Sequence, residues 1–307
     1  MLYALNTQRG GTVASTHATV PAAAELAVEN AQAAYLKTQR PPAKAFYLAI
    51  AGGFLVGVGY IFYVTSQQGM ADFPVGPAKI LGGMAFTVGL VVIILTGADL
   101  FTSTTMTVMP LYSRKITPRR WLAHWGTSLS GNLLGALLLA VIVFASGQYL
   151  ANGGEWGRVA LETAYGKIHY SFPRAFLLAM LANIMVCLAV YIAQSGRTTT
   201  DKILACLGPI PLFASSGFEH SIANMFLLPL GWMIKEFGGA GFWESAAVQK
   251  AGITAEQFAD FDISAIVINN WIPVLLGNIV GGALVVATYF YFGFVRAAEK
   301  AAATTGE

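Results

Sequence analysis

The chain divides into long apolar stretches separated by short charged connections. Eight stretches contain no Asp, Glu, Lys or Arg: 45–71, 80–98, 100–113, 121–154, 175–196, 203–218, 220–234 and 263–295. A helix needs about 20 apolar residues to cross the hydrocarbon core, so 45–71, 121–154, 175–196 and 263–295 are each long enough alone. The other four form two adjacent pairs, one interrupted by Asp99 alone and the other by Glu219 alone. We interpret each pair as one broken helix, which predicts six membrane-spanning segments.

The composition points to the same class of protein. Of the 307 residues, 56% are hydrophobic and 11% are charged, whereas soluble domains carry roughly 25% charged residues. The net charge of +3 is too small to indicate a nucleic-acid partner. Both cysteines, Cys187 and Cys206, lie in apolar runs, which favours buried thiols over a disulfide or a redox pair. We therefore expect an all-α polytopic protein surrounded by membrane lipids.

The charges of the connections predict the orientation. With six crossings, both termini share one side of the membrane with the connections 111–120 and 195–202. Twelve of the 18 Lys and Arg residues fall on that side and six on the other, which predicts cytoplasmic termini. The predicted division is a cytoplasmic N-terminal segment 1–43, a transmembrane channel domain 44–296 and a cytoplasmic tail 297–307. Within the first segment, Pro21–Lys37 is interpreted as a short helix, with a frayed tail as the alternative.

The two halves of the chain resemble each other. Segments three and six share GNLLG (131–135) and GNIVG (277–281), and segments two and five share GAD (97–99) and GFE (217–219). A unit of three helices that repeats after an odd number of crossings is inverted, as in many transporters. Small residues four apart also allow close helix packing in lipid. Asn132 and Asn278 either bond neighbouring helices or, for Asn278, line a pore.

The two helix breaks carry the candidate chemistry. A charge at the centre of a spanning helix costs about 2.5–3.5 kcal/mol, so we expect Asp99 and Glu219 to face water or a partner. For Asp99 we favour a carboxylate that caps the following half-helix. His220 lies well inside an apolar segment beside Glu219. An imidazole, with an ordinary pKa of about 6.5, can donate a hydrogen bond and exchange a proton, which suits a permeating small monovalent anion.

Four runs resemble one family of membrane proteins. GADLFTSTT (97–105), LANIMVCLAV (181–190), SGFEHSIANM (216–225) and IPVLLGNIVGG (272–282) are similar to motifs of the formate/nitrite transporter family, in particular its formate-channel branch. The resemblance extends over about residues 36–295. It implies an aquaporin-like protomer of six helices, with the second and fifth broken, assembled as a homopentamer with one pore per subunit. It implies no metal and no cofactor.

The resemblance also implies a role for individual residues. His220 would be the central pore histidine, with Thr102 as its partner. A polar set around the path would comprise Lys167, Glu219, Asn224, Asn183 and Asn278. One constriction would be formed by Phe86 and Phe213, and a second by Leu90, Leu100 and Phe101. Ordinary apolar core is the alternative for Phe86, Phe213 and Leu90, and an ordinary surface lysine is the alternative for Lys167.

The function implied is formate transport across a bacterial cytoplasmic membrane, coupled to or gated by protons through His220. The N-terminal segment would take part in gating and in docking of pyruvate formate-lyase. Nitrite or hydrosulfide is the alternative substrate within the family. Outside it, one alternative is an intramembrane enzyme using His220 with Thr102 or Ser221, which no GxSxG, HExxH or paired-cysteine motif supports. The other alternative is a pore for a neutral solute, through which the flux would not depend on pH. We expect no enzyme activity.

Overall fold

The computed structural model describes residues 20–70 and 72–305, and all of the regular structure in these ranges is helical. Residues 1–19 of the predicted N-terminal segment, including Arg9 of the charge tally, and residues 306–307 of the tail lie outside the described residues. The helices are α1 Ala23–Thr38, α2 Pro42–Gln67, α3 Val75–Thr96, α4 Phe101–Thr104, α5 Val108–Tyr112, α6 Pro118–Ala145, α7 Glu155–Lys167, α8 Phe172–Ala193, α9 Thr199–Cys206, α10 Pro209–Ser215, α11 Ser221–Phe237, α12 Gly239–Trp243, α13 Ala246–Ala251, α14 Ile263–Ala265, α15 Ile272–Ile279, α16 Thr288–Phe290 and α17 Arg296–Thr305.

Five helical stretches within the described residues are long and apolar enough to cross a membrane, judged by length and composition. They are α2, α3, α6, α8 and the stretch Ala255–Thr304, in which π-helical turns at Ile266–Trp271, Val280–Ala287 and Tyr291–Val295 alternate with α14 to α17. The predicted fifth segment is divided among α9, α10 and α11, the longest of which has 17 residues. A helical membrane protein with several spanning helices is therefore confirmed.

Glycines set the spacing between the long helices. A Cβ atom on Gly53 of α2 would lie 1.9 Å from the Asn132 carbonyl oxygen of α6. A Cβ on Gly277 of α15 would lie 2.2 Å from the Phe176 carbonyl oxygen of α8. Both distances are too short for any side chain, so the backbones of these helix pairs touch directly. Such small-residue packing is the usual way in which helices associate in lipid.

The chain departs from helical geometry after α3 and again after α10. Gly97 ends α3 with φ 74° and Gly217 follows α10 with φ 70°, a left-handed conformation that glycine adopts without strain. The following backbone is extended, with ψ 124° at Leu100 and ψ 115° at His220. New helices then begin at Phe101 and Ser221. Two short extended segments therefore lie between helical pieces at Asp99 and Glu219.

Two asparagines satisfy the backbone at these breaks in the same way. Asn132 Nδ2 donates to the carbonyls of Ala49 (2.6 Å) and Asp99 (2.8 Å), and its Oδ1 accepts from Phe101 N–H (2.7 Å). Asn278 makes three equivalent bonds: its Nδ2 donates to the carbonyls of Ala179 (2.8 Å) and Glu219 (2.9 Å), and its Oδ1 accepts from Ser221 N–H (2.8 Å). Backbone groups released from a helix at membrane depth need protein partners of this kind, because lipid supplies none.

Helix α1 packs against the rest of the protein. Leu26, Ala27, Asn30, Ala31 and Ala34 are buried along one face of it. The residues at positions 26, 27, 30, 31 and 34 recur with helical spacing, which explains why this Ala-rich segment is stable as a helix. Residues Ala23–Thr38 therefore form a helix that packs against the rest of the protein.

Candidate pore

A cavity of about 260 Å³ opens at the end of the molecule that carries α7 and ends at His220. Its wall combines aromatic, charged and amide side chains from α2, α3, α7, α10 and α11, among them Tyr60, Tyr63, Lys79, Phe86, Glu162, Lys167, Tyr170, Phe213, Glu219, His220 and Asn224. Six of the twelve residues singled out from the sequence therefore line this one cavity, although they come from positions 86 to 224 of the chain. We call this the outer cavity.

His220 is held in one orientation by the start of α11. It is the N-cap residue, and its Nδ1 accepts the backbone N–H of Ala223 at 3.1 Å. When Nδ1 accepts, the neutral imidazole carries its proton on Nε2. Nε2 lies 3.0 Å from Thr102 Oγ1, and both side chains are buried. The fold therefore presents the Nε2–H group at the inner end of the outer cavity, with Thr102 as its partner.

Glu219 and Lys167 form a buried ion pair next to this histidine. Lys167 Nζ lies 2.5 Å from Glu219 Oε1, and the two side chains are 12% and 1% exposed. Glu219 Oε2 accepts from Asn224 at 2.7 Å and from Asn270 at 3.2 Å. Asn270 also donates to the Lys167 carbonyl at 3.1 Å. Lys167 is thus part of a buried polar cluster and not an ordinary surface lysine.

Two phenylalanines separate the outer cavity from a smaller space. Phe86 and Phe213 meet edge to face, with ring centroids 5.6 Å apart, and both line the two cavities. The inner space measures about 10 Å³, room for about one water molecule. It is lined by Val56, Phe86, Leu90, Leu100, Val186, Ile210, Phe213 and His220. Leu90 and Leu100 therefore line this narrow space and not the outer cavity.

Besides Thr102, three predicted site residues lie behind the cavities. Phe101 is buried and packs on Trp125, with ring centroids 5.7 Å apart. Asn183 Nδ2 donates to the carbonyls of Thr102 (3.1 Å) and Asn278 (2.6 Å). Both amide hydrogens of Asn278 are engaged at the second helix break, as described above. In the structure these three side chains support the residues that line the cavities, and none of them lines either cavity within the described ranges.

The interpretation of Asp99 as a helix cap is wrong. Its carboxylate is fully buried and accepts from Thr104 Oγ1 at 2.6 Å. Lys37 Nζ of α1 lies 2.9 Å from Oδ1, and Arg40 Nη1 lies 3.5 Å from Oδ2. The backbone N–H of Phe101, the first residue of α4, donates to Asn132 Oδ1 and not to Asp99. Asp99 and Glu219 therefore share a second feature besides their position at a break. Each of them pairs with a lysine from a neighbouring helix.

Several residues of the outer cavity were not found from the sequence. Tyr60 packs on Phe86 with ring centroids 5.5 Å apart, and Asn270 bonds Glu219. Glu162 lies half-buried at the cavity wall, where burial raises the pKa of its carboxyl and the nearby Arg158 opposes that rise. The NN pair at 269–270, polar in an otherwise apolar segment, is the one signal that could have indicated Asn270.

Comparison with known proteins identifies the family. The model of the family described as "Formate/nitrite transporter" matches residues 24–292. The chain is a member of the formate/nitrite transporter family. It is similar to the formate channel FocA of Escherichia coli (strain K12), with 40% identity over 265 residues, which cover 86% of this chain and 91% of that protein. FocA of Haemophilus influenzae is 38% identical over 82% of this chain and 87% of its own length.

Solved structures agree. A structure described as "Pentameric formate channel with formate bound" matches with a TM-score of 0.75 and 36% identity, over 82% of this chain and 96% of that one. The resemblance found in the four sequence motifs is thus confirmed. These relatives are named as channels, and the family model is named for transport, which supports the expectation that the protein is not an enzyme.

Proposed function

We propose that the protein is a formate channel and that its path runs through the outer cavity, past His220 and between Phe86 and Phe213. The observation that carries the proposal is that His220 lines both the outer cavity and the narrow space beyond the two phenylalanines. A single hydrogen-bond donor at an otherwise apolar constriction suits a small anion or its neutral acid and disfavours hydrated ions. The similarity to named formate channels supports formate as the substrate.

The residues have separate roles in this proposal. Lys167 and Lys79 offset the negative charge of an anion that enters the outer cavity. The His220 Nε2–H group, next to Thr102, offers the carboxylate a hydrogen bond where water is excluded. Proton exchange at this imidazole gives formate the chance to cross the apolar part as the neutral acid, at a lower desolvation cost than the anion. Leu90 and Leu100, with Phe101 behind them, form the second constriction.

The architecture proposed for the membrane is six crossings in two inverted repeats of three, with an aquaporin-like protomer. The matching bonds of Asn132 and Asn278 and the lysine partners of Asp99 and Glu219 support an internal repeat. In this arrangement α3 with α4 and α5 forms one broken segment, and α10 with α11 forms the other. The pieces of a broken helix bring their ends to the middle of the bilayer, where such transporters bind their substrates.

We also propose a homopentamer in the bacterial cytoplasmic membrane, with both termini cytoplasmic and lipid around its rim. The pentameric formate channel structure supports the assembly, and the excess of Lys and Arg on the side of the termini supports the orientation. Native mass spectrometry of the detergent-solubilised protein tests the assembly. A complex of about five subunits is expected, and a stable monomer would contradict this part of the proposal.

The docked helix α1 lies next to Asp99 through Lys37, which supports a role of the N-terminal segment in gating. Docking of pyruvate formate-lyase on that segment is a further proposal. It is tested by pull-down with the full-length protein and with a variant that lacks residues 1–19. Equal capture by both forms would exclude those residues as the docking site.

The test of the substrate is flux into liposomes that contain the purified protein. Formate uptake is measured between about pH 5 and 8, with nitrite and hydrosulfide as competitors. Saturable formate uptake that changes with pH is expected. Uptake of a competitor without uptake of formate would move the substrate to another branch of the family, and pH-independent flux of neutral solutes would replace the proposal with a neutral-solute pore.

A further inference from the structure

A second cavity lies at the other end of the molecule, away from the pore residues. It has a volume of about 360 Å³ and lies between the first turns of α2 and α6, two neighbouring helices that begin at the same face. Arg40, Arg120, His124 and Thr127 supply its polar wall, and Thr38, Pro42, Ala45 and Ala123 complete it. None of these residues lines the outer cavity or the narrow space below it.

Polar atoms around this cavity are buried without a partner. His124 is 7% exposed, and its Nε2 has no hydrogen-bond partner within residues 20–70 and 72–305, with Asp99 Oδ2 4.0 Å away. Arg40 Nη1 also makes no hydrogen bond and lies 3.5 Å from the same Asp99 Oδ2, which is itself unbonded. Ser128 Oγ, one turn further along α6 and outside the cavity lining, is unbonded as well. Buried polar groups are nearly always hydrogen-bonded, because a group that is desolvated and left unpaired costs about 1–3 kcal/mol. His124 Nε2 and Arg40 Nη1 therefore leave room for a polar occupant of the cavity beside the Asp99 carboxylate.

The charge balance indicates that this occupant is an anion. Asp99 is shared between Lys37 at 2.9 Å and Arg40 at 3.5 Å, so the positive charge of these two cations exceeds its single negative charge. Arg120 is held against the cavity by a bond from its Nε to the Thr38 carbonyl at 3.0 Å. No carboxylate within the described part of the chain forms a salt bridge with Arg120. The N-terminal ends of α2 and α6, which are the positive ends of the helix dipoles, both lie at this cavity and add to its positive potential.

We propose that this cavity binds a phosphate group, with Arg40, Arg120 and His124 as its ligands. Arginine forks and an imidazole N–H match the several oxygens of a phosphate better than they match a single carboxylate oxygen. Two sources supply this chemistry, the headgroup of an anionic phospholipid and free inorganic phosphate. The position favours the lipid, since the cavity lies where two membrane helices begin, beside exposed Leu122, and basic pockets of this kind bind lipid headgroups.

The experiment is native mass spectrometry of delipidated, purified protein titrated with phosphatidylglycerol and, separately, with phosphatidylcholine. The variants are Arg120→Gln and His124→Gln, which keep an N–H donor, and the matched control is Arg119→Gln, an exposed neighbour that does not line the cavity. Preferential binding of phosphatidylglycerol is expected for the wild type and for the control. Loss of one charged contact is expected to weaken that binding by about tenfold in Arg120→Gln.

Inorganic phosphate added as a competitor distinguishes the two sources. Phosphatidylglycerol binding that millimolar phosphate leaves unchanged assigns the site to the lipid. If phosphate raises the unfolding temperature of the wild type and the control, but not of Arg120→Gln, the ligand of this site is the free ion. Equal lipid and phosphate binding by all four proteins would overturn the proposal and leave water as the occupant. Intact oligomers in each spectrum exclude misfolding as the cause, and the readout does not depend on formate flux.

Discussion

Asn132 and Asn278 perform the same task at two places that are 146 positions apart in the chain. Each side chain donates to two carbonyls, one from a long helix and one from an extended break, and accepts the first N–H group of the helix that follows. An amide is suited to this position because it offers two donors and an acceptor at once. Leu100 and His220, which the proposed function places on the path, lie directly between the bonded groups, so the asparagines would hold both sides of that path.

This equivalence predicts similar losses of stability at the two sites. Asn132→Ala and Asn278→Ala each leave buried backbone groups unpaired, at a cost of about 1–3 kcal/mol for each group. Both variants should therefore unfold at clearly lower temperatures than the wild type in detergent. Asn269→Ala is the control, because Asn269 is exposed in a helical stretch of the same protein. A loss at Asn132 with none at Asn278 would argue that the two breaks are not equivalent.

Replacement of His220 by Asn is expected to separate its two roles. Asparagine is a good N-cap, so the bond to Ala223 N–H and the start of α11 should survive. The group that exchanges protons is lost, so the pH dependence of formate flux should change or disappear. The measurement is uptake into liposomes between about pH 5 and 8. His169→Asn, in the outer connection, serves as the control, and fluxes equal to those of the wild type at every pH would remove His220 from the mechanism.

The phenylalanine pair is expected to set the size of the solutes that pass. Phe213→Leu opens part of the edge-to-face contact with Phe86, so acetate should enter severalfold faster relative to formate. Phe213→Ala should do this more strongly, but truncation of a buried Phe costs about 3–5 kcal/mol and is therefore the less stable test. Phe237→Leu, at a position that is 60% exposed, is the matched control. An unchanged ratio of acetate to formate in both Phe213 variants would place the constriction elsewhere.

Glu162 is expected to make formate entry depend on pH at the outer cavity. Because burial raises the pKa of this carboxyl, it becomes neutral at a higher pH than an exposed glutamate does. As pH falls, the repulsion between Glu162 and an entering anion should therefore decrease. Glu162→Gln should increase formate uptake at neutral pH and have less effect at acid pH. Glu256→Gln, at an exposed position outside the cavity, should behave as the wild type. An equal increase at all pH values would contradict this account.

Much of the candidate pore was predicted from the sequence because its residues are chemically out of place locally. A histidine, two acids and two GN pairs inside apolar stretches are conspicuous without a structure. Tyr60 and Leu90 are not, since an aromatic or aliphatic residue is ordinary in a membrane helix. Asn270 and Lys37 were not included because their partners, Glu219 and Asp99, lie 51 and 62 positions away. The same distance in sequence explains why Asp99 was mistaken for a helix cap.

The sequence by itself determined the class of the protein, the positions of the breaks and the chemistry available there. Apolar stretches of spanning length are stable in lipid, and an acid next to a glycine inside such a stretch favours an interruption of the helix. The tertiary structure decided which neighbours meet. It places Leu100 at the wall of the narrow space beyond Phe86 and Phe213, and its neighbour Phe101 against Trp125. It also gathers Arg40, Arg120 and His124 around a separate cavity. Such choices depend on how helices pack against each other, and no local pattern of residues specifies them.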